Sequence, residues 1–428
     1  MSYPFPPPSE ESRRAMEQRA EVSAHGPVFA WITPTGRCNL YCTHCPIRSV
    51  PKIPDDAPDM SLEVIEHIVR DVVPTLETVK IGGNNNGEAV LARNFDEFYA
   101  RIQRPGLRPW IITNGTLLRP DQIDRLAAAG AVIDFSMDAA TEAGHKRIRG
   151  RGYENLMASI RGAVEARDRH AATGAQVWAS PTVFLDNLLD MPDVVQMALE
   201  LRLDGVRMSN LMPQTEAQRY QSLVYHRAEA NRVFEECRKL ADGASLTLIT
   251  PAVFEVPAMK TNSKVKLEVP ARDPCIHPWT SVSIDEKGLV HPCCVSDQVL
   301  GDLSKDSFAT IWNGRRYRKL RRKVNSSNPP LYCRRCVLRG STGATLSPEA
   351  KDQDLLAAIG SSRAIDPIQS LIFFLMERTE RSKLAKARRC TGCCGRSTCA
   401  EARSRRGPAP LPRHALRSWR GGCQGPQP

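Results

Sequence analysis

Three cysteines, Cys38, Cys42 and Cys45, fall within eight residues in the order C-x3-C-x2-C, directly after an apolar run. An iron–sulfur cube normally takes four thiolates, so three close cysteines with no fourth nearby predict a 4Fe-4S cluster with one open iron, able to bind a chelating ligand. Zinc is the competing reading, but its sites use C-x2-C or C-x4-C pairs closed by a second pair, and none lies near this loop. A second set comes much later: Cys275 and Cys293 are spaced C-x17-C, and Cys333 and Cys336 are spaced C-x2-C. Four thiolates close a site, and two readings stand for it. The hairpin-like run 282–290 favours a structural zinc ribbon, and the ligand count equally suits a second cluster.

Chemistry of this kind needs a scaffold that brings several loops to one rim. Strand-like runs recur at 29–35, 78–83, 108–113, 132–137, 176–184 and 205–210, alternating with amphipathic segments at 61–73, 94–103, 119–129, 153–168 and 191–201. Six strands with helices between them predict an α/β fold: a parallel sheet with right-handed crossovers, closing as a partial (β/α)6 TIM-like barrel. Ligands gather at the carboxyl ends of such strands, which is where the cysteine loop falls. The same rim receives Gly87 and Glu88 after strand two, Asn114 after strand three, Ser136 and Asp138 at the end of strand four, and then Arg149. Arg207 and Asn210, near the end of strand six, are placed to face the cavity as substrate contacts. Each residue also has an ordinary use, since Asn-Gly makes turns, Asp and Ser cap helices, and Arg forms strand-edge ion pairs. Their order after a three-cysteine loop argues for a binding site.

These motifs resemble the radical S-adenosylmethionine (SAM) superfamily over roughly residues 29–210. There the open iron is chelated by the amine and carboxylate of SAM. His44 stands where that family commonly has an aromatic residue packed near the adenine. Gly87-Glu88 is similar to the family's Gly-Gly-Glu motif, which contacts the SAM amino group, with Ala89 in place of the usual proline. Asn114, Ser136, Asp138 and Arg149 resemble the segments that reach the ribose or carboxylate. The second cysteine set, with Gly288 before Cys293 and Ile311-Trp312-Asn313 in the middle, resembles the SPASM/twitch extension. The resemblance implies one auxiliary 4Fe-4S cluster on Cys275, Cys293, Cys333 and Cys336. The spacing is that of the shorter twitch form, as in the butirosin-pathway 2-deoxy-scyllo-inosamine dehydrogenase type. Cys294 is a spare thiol beside a ligand, either structural, an alternative ligand or a hydrogen-atom donor.

Composition adds limits. The formal charge of +12 suggests nucleic acid until it is located: residues 378–428 hold 13 Lys+Arg against 2 Asp+Glu, so the body is nearly neutral. The proline-rich start has no apolar core of the kind a signal peptide needs, and the run 371–376 is too short to span a bilayer, which predicts a cytoplasmic protein without membrane or nucleic-acid partners. Fourteen cysteines in a reducing compartment point to metal or redox chemistry rather than disulfides. The organisation read from these features is an arm over 1–27, a barrel over 28–250, an auxiliary-cluster domain over 251–345, a helical segment over 346–377 and a disordered basic tail over 378–428. Cys390, Cys393, Cys394 and Cys399 in that tail read as incidental thiols.

The resemblance implies a 5′-deoxyadenosyl radical and an electron donor of the flavodoxin or ferredoxin type. With a closed second cluster to take an electron, the leading expectation is two-electron oxidation of a secondary alcohol on a cyclitol or sugar. Two alternatives stay within the class: epimerisation, with Cys237 or Cys294 returning hydrogen, and peptide modification. Twenty-seven residues before the first strand leave no room for a leader-binding domain, which argues against the peptide reading. A non-catalytic metal-bound interaction module is the alternative of another class, and the loops suited to SAM argue against it.

Overall fold

The computed structural model describes residues 7–45, 54, 56–82, 87–211, 213, 218, 220–251, 274–294, 296 and 298–334. The chain divides into two compact units, 1–368 and 369–428, and the second lies wholly outside the described residues. The expected helical segment at 346–377, the basic tail with its cysteines, and Cys336 lie outside them too.

Twelve strands are described: β1 (Phe29–Ile32), β2 (Thr78–Ile81), β3 (Arg108–Thr113), β4 (Val132–Phe135), β5 (Gln176–Ala179), β6 (Thr182–Val183), β7 (Gly205–Arg207), β8 (Ser209–Asn210), β9 (Thr247–Ile249), β10 (Ser281–Ile284), β11 (Leu289–His291) and β12 (Gly301–Asp302). Ten form one sheet in the order β12-β11-β10-β1-β2-β3-β4-β5-β7-β9. The pairs from β10 through β1 to β9 are parallel, and only β10–β11 and β11–β12 run antiparallel. Strands β1, β2, β4 and β5 are buried at every position, as a parallel sheet covered on both faces requires. The outward residues of the parallel strands, such as Ile32, Val79, Ile81, Ile111 and Val177, join one core with the surrounding helices. Their inward residues, Phe29, Trp31, Trp110, Val132 and Trp178, form a separate cluster in the lumen. Gly205 exists for that filling, because a Cβ there would collide with the Trp178 ring.

The helices expected between the strands form at Leu62–Asp71, Phe95–Ile102, Pro120–Ala128, Tyr153–Arg169 and Met191–Glu200. Local signals start them: the Ser61 hydroxyl accepts from the Val64 amide, and Pro120 occupies a first-turn position where its missing N–H costs nothing.

Two of the expected strands are corrected. The runs at 176–184 and 205–210 each break into two strands, with β6 and β8 forming a small parallel pair of their own. Pro181 has no N–H to continue a ladder, and its carbonyl instead accepts from the Ser209 amide at 3.0 Å. A charged helix spans Arg227–Ala241, and two shorter ones, Phe308–Trp312 and Arg315–Val324, are separated at Gly314. Residues after 250 continue the same sheet, because β10 pairs in register with β1.

The arm is a strap. Its helix Glu10–Glu17 leads into a segment bound to the C-terminal layer: the Trp279 indole donates to the Ala20 carbonyl at 2.9 Å, and the Trp312 indole to the His25 carbonyl at 2.7 Å. The Asn313 carboxamide closes both backbone groups of Ser23, accepting at 2.9 Å and donating at 3.0 Å, and also accepts from Arg321. Asn313→Ala leaves these partly buried groups unsatisfied, so a stability loss of about 1–3 kcal/mol is expected in denaturant melts. An unchanged midpoint would show that the strap does not hold the layer.

Candidate functional site

One open cavity of about 280 Å³ at the carboxyl ends of the strands is lined by Cys38, Cys42 and Cys45 together with His44, Gly87, Glu88, Asn114, Ser136, Arg149, Arg207 and Ser209. Most of the residues expected from sequence therefore meet at one place. The three thiols come from one loop, pinned by the Thr43 amide on the Ile148 carbonyl at 2.9 Å and by the Arg151 guanidinium on the Asn39 carbonyl at 3.0 Å. Among the described residues no three His, Cys, Asp or Glu side chains converge on one metal ion. A cube spreads its thiolates over separate irons, so three thiols lining a cavity, rather than meeting at a point, suit a cluster. Burial pushes the Cys38 thiol up to about 12 and also raises Cys42, so positive charge is needed to hold either as thiolate. Arg149 supplies part of it, with Nη1 at 3.8 Å from the Cys42 sulfur.

Behind this wall lies a buried ion pair. Asp138 is fully buried, its carboxylate 2.6 Å from Arg149 and 3.6 Å from the His44 ring nitrogen, and it accepts the Thr182 amide at 2.8 Å. Burial opposes its ionisation, but the charges of Arg149 and His44 outweigh that and hold it below the usual carboxylate range. Asp138 does not line the cavity; it orients Arg149 and His44, which do. The His44 ring also lies against Phe184, centroids 5.5 Å apart.

Glu88 is the buried carboxylate that faces the cavity. It accepts from the Thr113 hydroxyl and the Asn114 amide, each at 2.7 Å, and burial raises its pKa. No cation among the described residues is within ion-pair distance of it. A ligand ammonium would relieve that burial, which is how these residues fit the amino group of SAM. The neighbouring Gly87 has φ +82°, and a Cβ there would collide with the Thr35 carbonyl oxygen. Gly87→Ala is therefore expected to cost about 1–3 kcal/mol through strain and to displace Glu88. A melting midpoint equal to wild type would contradict the close approach.

Two expected contacts differ. The Asn114 carboxamide donates to Asn39 at 2.9 Å and accepts from Thr116, so its reach is largely used in bracing the cysteine loop. Asn210 does not line the cavity, whereas Arg207 and Ser209 do, because side chains alternate along an extended chain. Below the cavity, Arg207 pairs with Asp134 at 3.1 Å and donates to Ser180, while Trp110 donates to the same carboxylate at 3.2 Å. The sequence reading missed Asp134, Trp110, Ser180 and Lys80. A lysine in the buried run Thr-Val-Lys-Ile was the available signal.

In the second cysteine set, Cys275 is buried and its backbone is held by the Asn325 carboxamide at 2.8 and 3.0 Å. Tyr332 is raised by burial first and then by the fields of Cys333, Cys293 and Cys275. Cys294 packs against the lumen tryptophans.

Residues 32–197 match the radical SAM superfamily, and residues 275–337 match the SPASM iron–sulfur cluster-binding domain. The chain carries a radical SAM domain followed by a C-terminal SPASM domain. Its cofactors are SAM, the cluster that binds it and one auxiliary 4Fe-4S cluster.

The chain is 27% identical over 194 residues to the tungsten-containing aldehyde ferredoxin oxidoreductase cofactor-modifying protein of Pyrococcus furiosus, a match covering 44% of this chain and 53% of that protein. It is 25% identical over 308 residues to the AdoMet-dependent heme synthase of Methanosarcina barkeri, covering 69% and 84%. To the PqqA peptide cyclase of Bradyrhizobium diazoefficiens it is 22% identical over 345 residues, covering 76% and 82%. Streptococcus suis SuiB bound to its precursor peptide SuiA shares the fold with a TM-score of 0.53 at 14% identity, over 74% of this chain and 71% of that one. The cyclitol expectation has no support among these relatives. BtrN, with AdoMet and 2-DOIA, reaches a TM-score of only 0.36, too low to carry a shared reaction. An auxiliary electron acceptor serves oxidation of a peptide carbon as well as of an alcohol, which is why the cysteine pattern did not separate them. Among the described residues no helix is long and apolar enough to cross a membrane.

Proposed function

We propose that this chain modifies a peptide by radical chemistry, the reading that the peptide cyclase and the SuiA-bound SuiB support best. The observation that carries it is the single cavity in which three thiols, Glu88 and Arg149 meet. In this reading Cys38, Cys42 and Cys45 hold the SAM-binding cluster, and Cys275, Cys293, Cys333 and Cys336 hold the auxiliary one. Bound there and reduced, the first cluster would supply the electron for cleaving SAM to a 5′-deoxyadenosyl radical, chemistry that no side chain initiates. The chain's own residues do the rest. Glu88 takes the SAM ammonium, Arg149 and Ser136 face its carboxylate and ribose, and His44 packs near the adenine. Asp138 keeps Arg149 charged and oriented, and the tryptophan-filled lumen limits water below the reacting carbon. An electron leaves through a flavodoxin- or ferredoxin-type carrier or enters from one. The heme synthase match, over 84% of that protein, sustains a second reading in which the substrate is a tetrapyrrole.

Deuterium transfer tests both readings. Anaerobically reconstituted protein receives SAM, dithionite and either a pooled library of deuterated peptides or a deuterated iron-coproporphyrin. Deuterium in the released 5′-deoxyadenosine is expected from the peptide arm. Transfer from the porphyrin alone would favour the second reading, and transfer from neither would contradict both.

A further inference from the structure

Among the described residues the lumen holds a lysine that has no carboxylate of its own. Lys80 lies on the inner face of β2, opposite the outward Val79 and Ile81, and is only 7% exposed. Its ammonium sits 4.0 Å from the centroid of the Trp110 ring. Among the described residues no carboxylate comes within ion-pair distance of it. The Arg207 guanidinium lies 5.6 Å from the same ring, and Asp134, the one carboxylate here, is already engaged by Arg207, the Trp110 indole and the Ser180 hydroxyl. Arg207 also lines the cavity that holds the three thiols. Trp110 is two residues before cavity-lining Ile112 on the same strand face, one pleat repeat or roughly 7 Å deeper. The two cations thus flank an aromatic platform just beneath the reaction cavity. A buried lysine without a carboxylate partner gives up its proton readily, and an anion brought beside it restores the charge.

We propose that Lys80 and Arg207 form a subsite that binds a carboxylate of the substrate, holding it over Trp110 beneath the SAM cavity. The inference rests on the radical reading above and adds the substrate's chemical class: an acidic group, from a peptide side chain or a tetrapyrrole propionate. Burial, with the nearby Arg207 charge, brings Lys80 down to about 7, against weaker support from Asp134 and Cys294. The other titratable group at this level, His277, packs edge-on to Trp31 and is itself lowered to about 4 by burial, so it stays neutral. Near pH 8 the free amine is mostly neutral, and a bound carboxylate recharges it, so binding takes up about one proton.

The test is titration calorimetry of the reconstituted protein with SAM at pH 8, in buffers of different ionisation heat. The probes are a glutamate-containing peptide, its glutamine twin and iron-coproporphyrin III. Either the glutamate peptide or the porphyrin is expected to bind with proton uptake, the peptide at least ~10-fold tighter than its glutamine twin. Lys80→Met, which removes a buried charge at similar volume, should lose the uptake and that preference, while Lys80→Arg keeps the preference. Thermal melts confirm that both variants fold. Binding that is indifferent to Lys80→Met, or no binding of any probe, would overturn the subsite. Absence of 5′-deoxyadenosine from the wild type with SAM and dithionite would instead overturn the radical reading itself.

Discussion

Replacing Cys42 by alanine is expected to reduce 5′-deoxyadenosine release by on the order of 10³-fold or more, a barrier increase of at least ~4 kcal/mol. The size follows from the chemistry: without the cube the chain has no group that can reduce a sulfonium, and no neighbouring side chain substitutes. Cys38→Ala and Cys45→Ala should behave alike, because all three thiols line the same cavity. Iron content should fall from about eight to about four per chain, since the second cysteine set is untouched. The stability of the barrel should change little, because the loop is held by the Thr43 amide and by Arg151 rather than by its thiols. A variant that keeps full iron and full cleavage would show that the assigned thiol is not a ligand.

Arg149→Met carries the second large effect. It leaves Asp138, 0% exposed, ionised without its 2.6 Å partner, and breaking such a pair from one side costs roughly 3–5 kcal/mol. It also removes the guanidinium beside the Cys42 sulfur, so both the melting midpoint and the yield of reconstituted cluster should drop. Arg149→Met with Asp138→Asn should recover much of the stability and little of the cluster function, which separates the structural role from the local one. A pH dependence follows with a definite sign. Asp138 is lowered in the fold, so its contribution is fully present above its unfolded value of about 3.9 and is lost as pH falls through the lower folded value. Acid unfolding of the wild type should therefore steepen below about pH 4, and the double variant should lack that component. Identical acid limbs would contradict the assigned burial.

The extent to which this could be read from sequence depended on whether a residue's neighbours lie nearby in the chain. The three-cysteine loop is local, so its place after β1 followed from spacing, and Glu88 and Arg149 followed from their order along a barrel rim. Asn114 looked like a ligand contact because an Asn-Gly pair at a strand end resembles one. Its use in bracing Asn39 depends on a loop 75 positions away. Asn210 failed through a one-residue phase error, since the chain breaks at Pro181 and pairs β6 with β8, leaving Ser209 on the cavity side. The strap formed by the first residues was invisible because its partners, Trp279, Trp312 and Asn313, are 259 to 290 positions away. Lys80 was passed over because a single lysine in an apolar strand carries no pattern until the tryptophan beside it is known.

The most direct measurement is electron–nuclear double resonance on the dithionite-reduced protein with SAM labelled with ¹⁵N at the methionyl amine. The account predicts a ¹⁵N coupling to the cluster, present in the wild type and absent in Cys42→Ala. A reduced cluster signal that shows no such coupling, with SAM bound, would contradict an open iron held by Cys38, Cys42 and Cys45.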